Sequence, residues 1–290
     1  MKALVIGASG QVGGALLAAL CERGHSVVGT YRQHAQPGLI ALNTADATVV
    51  AQVLDYQQPD WVFYPAGLSW VDLCEREPER CYRENVTLPM MVAQQAARLG
   101  AGFVYYSTEY VFDGEAGPYT EQAEPRPISA YGRSKLAAEQ QLSAAFARLL
   151  IVRTTVVYGP EAQHKNFVYQ LVAKLGQGET MFVPNDQIST PTYNVDLAAA
   201  SVECVERDVT GVVNLVGPDR LDRAEFAQVV CRVFDLDNRL IVPRATAELG
   251  QLASRPLQAG LVNTFIQSRM TTRMRGVQAG LIAMRSADGL

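Results

Sequence analysis

The chain has 290 residues, 48% of them hydrophobic and 19% charged, which suits one large folded unit with a smaller lobe and excludes a disordered chain. A net charge of −4 leaves no basic footprint for nucleic acid, and no apolar run reaches the length of a membrane span. Met1 leads within a few residues into a glycine turn, without the apolar core and cleavage site of a signal peptide, so the expected location is the cytoplasm.

The first half alternates strand-like and helix-like segments. Lys2 to Ile6 is a short β-rich run, and Gln11 to Arg23 is predicted to be helical, with Val12, Leu16, Leu17 and Leu20 on one face. Strands are predicted at Ser26 to Gly29, Leu39 to Leu42, Trp61 to Tyr64, Gly102 to Tyr106 and Leu149 to Arg153. Between them, helices are predicted at Ala47 to Tyr56, Glu79 to Leu99 (kinked at Pro89) and Ile128 to Ala147. Such alternation with short connections specifies an α/β fold with a doubly wound parallel sheet.

After residue 154 the rhythm loosens. Asn166 to Leu175, Val195 to Val205 and Arg223 to Phe234 read as helices, Met181 to Val183 and Val212 to Val216 as short strands. The expected division is a dinucleotide-binding part, 1–154, and a small α/β substrate lobe, 155–290, packed on it, with elements free to cross between the two. The five cysteines form no CxxC pair and the three histidines have no metal-ligand spacing, so neither a disulfide framework nor a metal site is expected. Cys74 and Cys81, seven apart, read as small core-facing hydrophobes.

Chemistry first enters at Gly7-Ala8-Ser9-Gly10-Gln11-Val12-Gly13, between the first strand and the first helix. Gly7 permits a sharp turn, Gly10 lets the backbone approach a pyrophosphate, and Gly13 lets the helix pack close to the strand. The helix N-terminus offers free N–H groups and the positive dipole end to phosphates. The end of the second strand reads Gly29-Thr30-Tyr31-Arg32, without the carboxylate that would bond a ribose 2′-hydroxyl. Arg32 can pair with a 2′-phosphate and Thr30 can hydrogen-bond it, so NADP(H) is the expected cofactor.

Tyr131 and Lys135 stand four apart in a predicted helix, on one face. A nearby ammonium favours the phenolate, so this tyrosine is expected to exchange a proton with a substrate oxygen at neutral pH. Thr108, at the carboxyl edge of the sheet, can set its hydroxyl beside Tyr131 and orient a carbonyl. His164 has no evident acid–base partner and reads as a loop residue.

These blocks resemble the extended short-chain dehydrogenase/reductases, a Rossmann-fold group, and within them the dTDP-4-dehydrorhamnose reductase branch. That branch also includes the regulatory β-subunit of methionine adenosyltransferase. The similarity rests on the glycine turn, Pro65 to Glu75 with Asn85-Val86, Ser107 to Gly114 with Pro118-Tyr119, and Ala130 to Leu136. It continues through Arg153-Thr154, Tyr158-Gly159, Asn166 to Val168, Asp186 to Thr192 and Arg255-Pro256. The resemblance implies an NADPH-dependent reduction of the C4 carbonyl of a nucleotide-linked 4-keto-6-deoxy sugar, with Tyr131 as proton donor. It implies that Lys135 holds the nicotinamide ribose and Thr108 the carbonyl. Around the cofactor it implies Gly7, Ser9, Gly10, Gln11, Val12, Thr30, Arg32, Asn43, Thr44, Pro65, Ala66 and Gly67, together with Tyr131 and Lys135. Around the sugar it implies Ser69, Tyr110, Asn166, Gln187 and Arg255, and it makes a homodimer a candidate assembly. Three positions depart from the pattern: Val156 where a Trp is usual, Ser189 for Gly, and Tyr64 for Asn. Two other functions stay open, a non-catalytic NADP-binding subunit and an epimerase or dehydratase. A dehydratase needs a carboxylate pair after the Thr, and here Glu109 is followed by Tyr110.

Overall fold

A computed structural model describes residues 1–263 and 268–289. Seven parallel strands form the central sheet. Six come from the first half: β1 (Lys2–Val5), β2 (Ser26–Tyr31), β3 (Ile40–Ala41), β4 (Trp61–Tyr64), β5 (Gly102–Thr108) and β6 (Leu149–Thr154). The seventh is Gly211–Asn214, and the spatial order is Gly211–Asn214, β6, β5, β4, β1, β2, β3. The order reverses beside β1, so the chain leaves a crevice there at the carboxyl ends of the strands.

Strands β4, β5 and β6 are buried on both faces along their whole length, which is why they read as nearly continuous apolar runs. Alternate residues serve opposite layers. Ala3, Val5, Phe63, Val104 and Val152 pack with Leu16 and Leu20 of α1 (Gln11–Glu22) and with Leu197 and Val202 of the helix Asn194–Glu206. Leu4, Val62, Tyr105 and Ile151 pack the other way. They meet α2 (Ala47–Gln57), α5 (Leu88–Arg98) and α6 (Ala130–Ala145) through Val50, Val92, Ala138 and Leu142. A separate core under the C-terminal segment joins Tyr158, Leu171, Phe226, Val230 and Leu281. Among the described residues no helix is long and apolar enough to cross a membrane.

Three segments differ from the sequence-based expectation. The strand expected at Val212 to Val216 lies at Gly211–Asn214, pairs in parallel with β6 and so belongs to the central sheet. Its neighbour Asn194–Glu206 covers α1, so residues beyond 154 complete one face of the first layer. The single helix expected from Glu79 to Leu99 is three pieces: α4 (Pro78–Tyr82), a π-helical turn at Arg83–Thr87, and α5. The backbone stays helical through Thr87 and Leu88, so Pro89 lies inside the run; it cannot donate to the Asn85 carbonyl four residues back, which accepts from the Tyr105 hydroxyl at 2.8 Å instead. A short helix, α3 (Val71–Arg76), was not expected from the pattern, because six residues give too few turns for a periodic signal.

Candidate functional site

Two adjoining cavities open at the carboxyl edge of the sheet and share Gly7, Gly10, Pro65, Ala66 and Gly67. The larger, about 420 Å³, runs from the glycine turn to Thr108, Tyr131 and Lys135. The smaller, about 220 Å³, lies over the end of β2 against Thr30, Arg32 and Thr44.

The glycine turn has the backbone its residues allow. Gly7 sits at φ +88°, and its N–H donates to the Thr30 hydroxyl at 3.2 Å. A Cβ on Gly13 would collide with the Gly7 carbonyl oxygen, so only glycine lets α1 pack this close. Gly10 is the residue before α1, whose first-turn amides have no partner within the helix. The residues present fit a dinucleotide. The N-terminus of α1 faces the cavity through Gly10, Gln11 and Val12. Two buried hydroxyls that line the cavity, Ser107 Oγ and Thr154 Oγ1, have no hydrogen-bond partner among the described residues.

The helix that carries Tyr131 and Lys135 is set by local capping. Ser129 accepts from the Gly132 amide at 3.2 Å and starts α6 two residues before Tyr131. A side chain at Gly132 would meet the Tyr110 carbonyl oxygen, so only glycine there lets the helix approach the short 3₁₀ turn Glu109–Val111. That approach sets the Tyr131 hydroxyl beside the Thr108 side chain. The Tyr110 ring packs edge-on to Tyr131, with centroids 5.5 Å apart. Lys135 lies one turn on, 6% exposed, with Nζ 4.2 Å above the Tyr105 ring.

Burial dominates the electrostatics of this pair. It pushes the Tyr131 hydroxyl well above the ordinary tyrosine range, with the Thr108 side chain the first influence opposing it. The lowering expected from the neighbouring ammonium is therefore outweighed. The same burial brings Lys135 down to about 7, with Glu139 the largest opposing influence. A lysine whose folded pKa is depressed binds fewer protons folded than unfolded between that value and its ordinary 10.5, so stability rises with pH across that window. Urea unfolding of the wild type and of Lys135→Met at pH 6 and pH 9 checks this. The wild type is expected to gain on the variant at the higher pH, and an equal difference at both would contradict it.

The structure brings most of the expected residues together. Gly7, Gly10, Gln11, Val12, Pro65, Ala66, Gly67, Ser69, Thr108, Tyr110, Tyr131 and Lys135 line the larger cavity. Ser9, Thr30, Arg32 and Thr44 line the smaller. Val156, where the resemblance has a Trp, lines the larger cavity at φ +44°, an unfavourable conformation for a β-branched residue.

Four expected residues line neither cavity. Asn43 caps its own turn by accepting from the Ala45 amide. Asn166 caps the helix Phe167–Gly176 and donates to the Gly159 carbonyl at 2.9 Å. Gln187 donates to Thr246 and Gln251, both at 2.9 Å. Arg255 pairs with Asp72 at 2.7 Å. For Asn43, Asn166 and Gln187 a nearby polar group engages the side chain away from the cavities, whereas Arg255 keeps a buried Nη1 that has no partner among the described residues.

Other residues enter the site without having been expected there. Arg223 lines the larger cavity from the first turn of its helix. A cation there opposes the helix dipole, a signal in the sequence that something other than helix stability holds it. Asn85, 1% exposed, donates to Leu68 O and to Ser134 Oγ, both at 3.0 Å, and so ties the loop after β4 to α6. Cys74 and Cys81 are buried as expected, but Cys81 also donates to Ser134 Oγ at 3.3 Å, just behind Lys135. Glu109 does not face either cavity. Its carboxylate is held by the Ser189 hydroxyl at 2.7 Å and 2.8 Å and by the Gly260 amide at 2.9 Å.

Comparison with known proteins places these features in context. The family described as RmlD substrate binding domain matches residues 1–287. The chain is similar to the probable low-salt glycan biosynthesis reductase of Haloferax volcanii, 31% identical over 99% of this chain and 98% of the relative. It is also similar to the methionine adenosyltransferase 2 subunit beta of Xenopus tropicalis, 27% identical over 86% of this chain and 77% of that protein. Among solved structures, the dTDP-4-dehydrorhamnose reductase of Bacillus anthracis in complex with NADP superposes with a TM-score of 0.90, at 26% identity, covering 99% of both chains.

Proposed function

This chain belongs to the RmlD substrate binding domain family, and on that premise we propose that it is an NADPH-dependent reductase of a nucleotide-linked 4-keto-6-deoxy sugar. The observation that carries the reading is the meeting of Thr108, Tyr131 and Lys135 in one cavity with the glycine turn. Homologous reductases, one of them solved with NADP, support the same cofactor and chemistry.

In this reading the turn Gly7 to Gly13 and the α1 amides hold the diphosphate, while Thr30, Arg32 and Thr44 surround the adenosine end. When bound, NADPH supplies the hydride that reduces the sugar carbonyl carbon. Thr108 orients the carbonyl oxygen, and Tyr131 delivers the proton to it as the C–O double bond becomes a hydroxyl. The Tyr131 hydroxyl carries the proton to be delivered, while burial holds its pKa above the range in which transfer is easiest. Lys135 borders the cavity one turn away, placed to hold a ribose hydroxyl. Dehydration fits less well, because the Glu109 carboxylate is turned into the protein and fully engaged.

The test is NADPH consumption over a panel of nucleotide-linked 4-keto-6-deoxy sugars. Oxidation is expected with at least one member. The similarity to a methionine adenosyltransferase β-subunit favours one other reading, a non-catalytic dinucleotide-binding subunit. Tight dinucleotide binding with no turnover on any sugar would select it and reject the reductase.

A further inference from the structure

The adenosine-side cavity carries an anion that the end of β2 does not supply. Arg32 and Glu84 both line it. Arg32 Nη1 donates to Glu84 Oε2 at 2.7 Å, and Arg83 reaches the other carboxylate oxygen at 3.2 Å. The Glu84 side chain is 10% exposed, while that of Arg32 is 43% exposed. Glu84 comes from the π-helical turn Arg83–Thr87, more than fifty residues along the chain from β2.

A buried carboxylate on the guanidinium changes what the pocket rewards. An arginine that selects a 2′-phosphate does so partly because it is poorly paired without one, and specificity is a difference between two affinities. Here the guanidinium already has an anionic partner, so a dinucleotide lacking the phosphate leaves no charge unpaired. A dinucleotide bearing it must share Arg32 with Glu84 or displace that contact, beside a negative charge. Arg83 can then keep Glu84 satisfied, so the exchange is open in both directions.

We propose that Glu84 is a cofactor-specificity residue, which competes with the 2′-phosphate for Arg32 and lets the pocket take nicotinamide dinucleotides with and without that phosphate. The inference rests on the dinucleotide reading given above. It extends that reading by assigning dual cofactor use to a residue outside the strand that ordinarily decides it.

Calorimetric titration of the full chain with 2′,5′-ADP and with 5′-AMP tests it without any sugar substrate. At an ionic strength of about 150 mM, wild-type affinities for the two are expected to differ by less than about tenfold. Glu84→Gln is expected to widen that ratio by about fivefold or more, through tighter 2′,5′-ADP, because one competing charge is gone. Adding Arg32→Ala should erase the gain. A wild-type preference above about tenfold, or a Glu84→Gln ratio within about twofold of wild type, overturns the proposal. Should Glu84→Gln fail to fold, the wild-type ratio decides alone. If neither nucleotide binds the wild type, the dinucleotide reading falls and this inference with it; binding with an unchanged ratio removes only the inference.

Discussion

Replacing Tyr131 by Phe is expected to cut turnover of NADPH with a responsive 4-keto sugar nucleotide by about 10²- to 10⁴-fold, the usual worth of a positioned general acid. The ring keeps its edge-on contact with Tyr110 and its place on α6. Only the hydroxyl beside Thr108 is lost. Dinucleotide binding should therefore persist, since the glycine turn and the β2 end lie elsewhere in the two cavities. Steady-state NADPH oxidation beside a binding titration separates the two effects. Turnover equal to wild type would remove Tyr131 from the mechanism, and loss of binding would show that the hydroxyl holds the site together.

Truncating Glu139 to Ala is expected to destabilise the fold by about 3–5 kcal/mol, the usual cost of leaving one member of a buried ion pair alone. Glu139 on α6 and Arg153 on β6 are about 5% exposed and make a bidentate pair, with Arg153 Nε 3.0 Å and 3.2 Å from the two oxygens and Nη2 at 2.6 Å. The pair fastens α6 to the sheet. Among the described residues the Arg153 Nη1 is already buried without a partner, so losing Glu139 would leave the whole guanidinium unpaired by a carboxylate. Glu139 also holds the Lys135 pKa up against burial, so its removal should drive that lysine below its value of about 7. Urea unfolding reads the first effect. A loss below about 1 kcal/mol would mean that water reaches Arg153 and the pair is not structural.

How much could be read in advance depended on range. The glycine turn was legible because each of its demands is local, a positive φ at Gly7 and no Cβ at Gly13. The Tyr131–Lys135 pair was legible because helix geometry alone sets four-residue neighbours on one face. Gly211–Asn214 read as a strand, but its place in the central sheet depends on pairing with β6, some sixty residues away. Gln187 looked available for a ligand because its partners, Thr246 and Gln251, are remote in sequence.

The sequence by itself determined the alternation of strands and helices, the phosphate-binding turn and the spacing of tyrosine and lysine, all set by contacts within a few residues. Only the tertiary structure decided which polar side chains are already paired and what burial does to Tyr131 and Lys135. It alone set Glu84 against Arg32. Those outcomes depend on desolvation and on charges brought together from distant segments, and a residue's solvent and partners are fixed only when the chain closes around it.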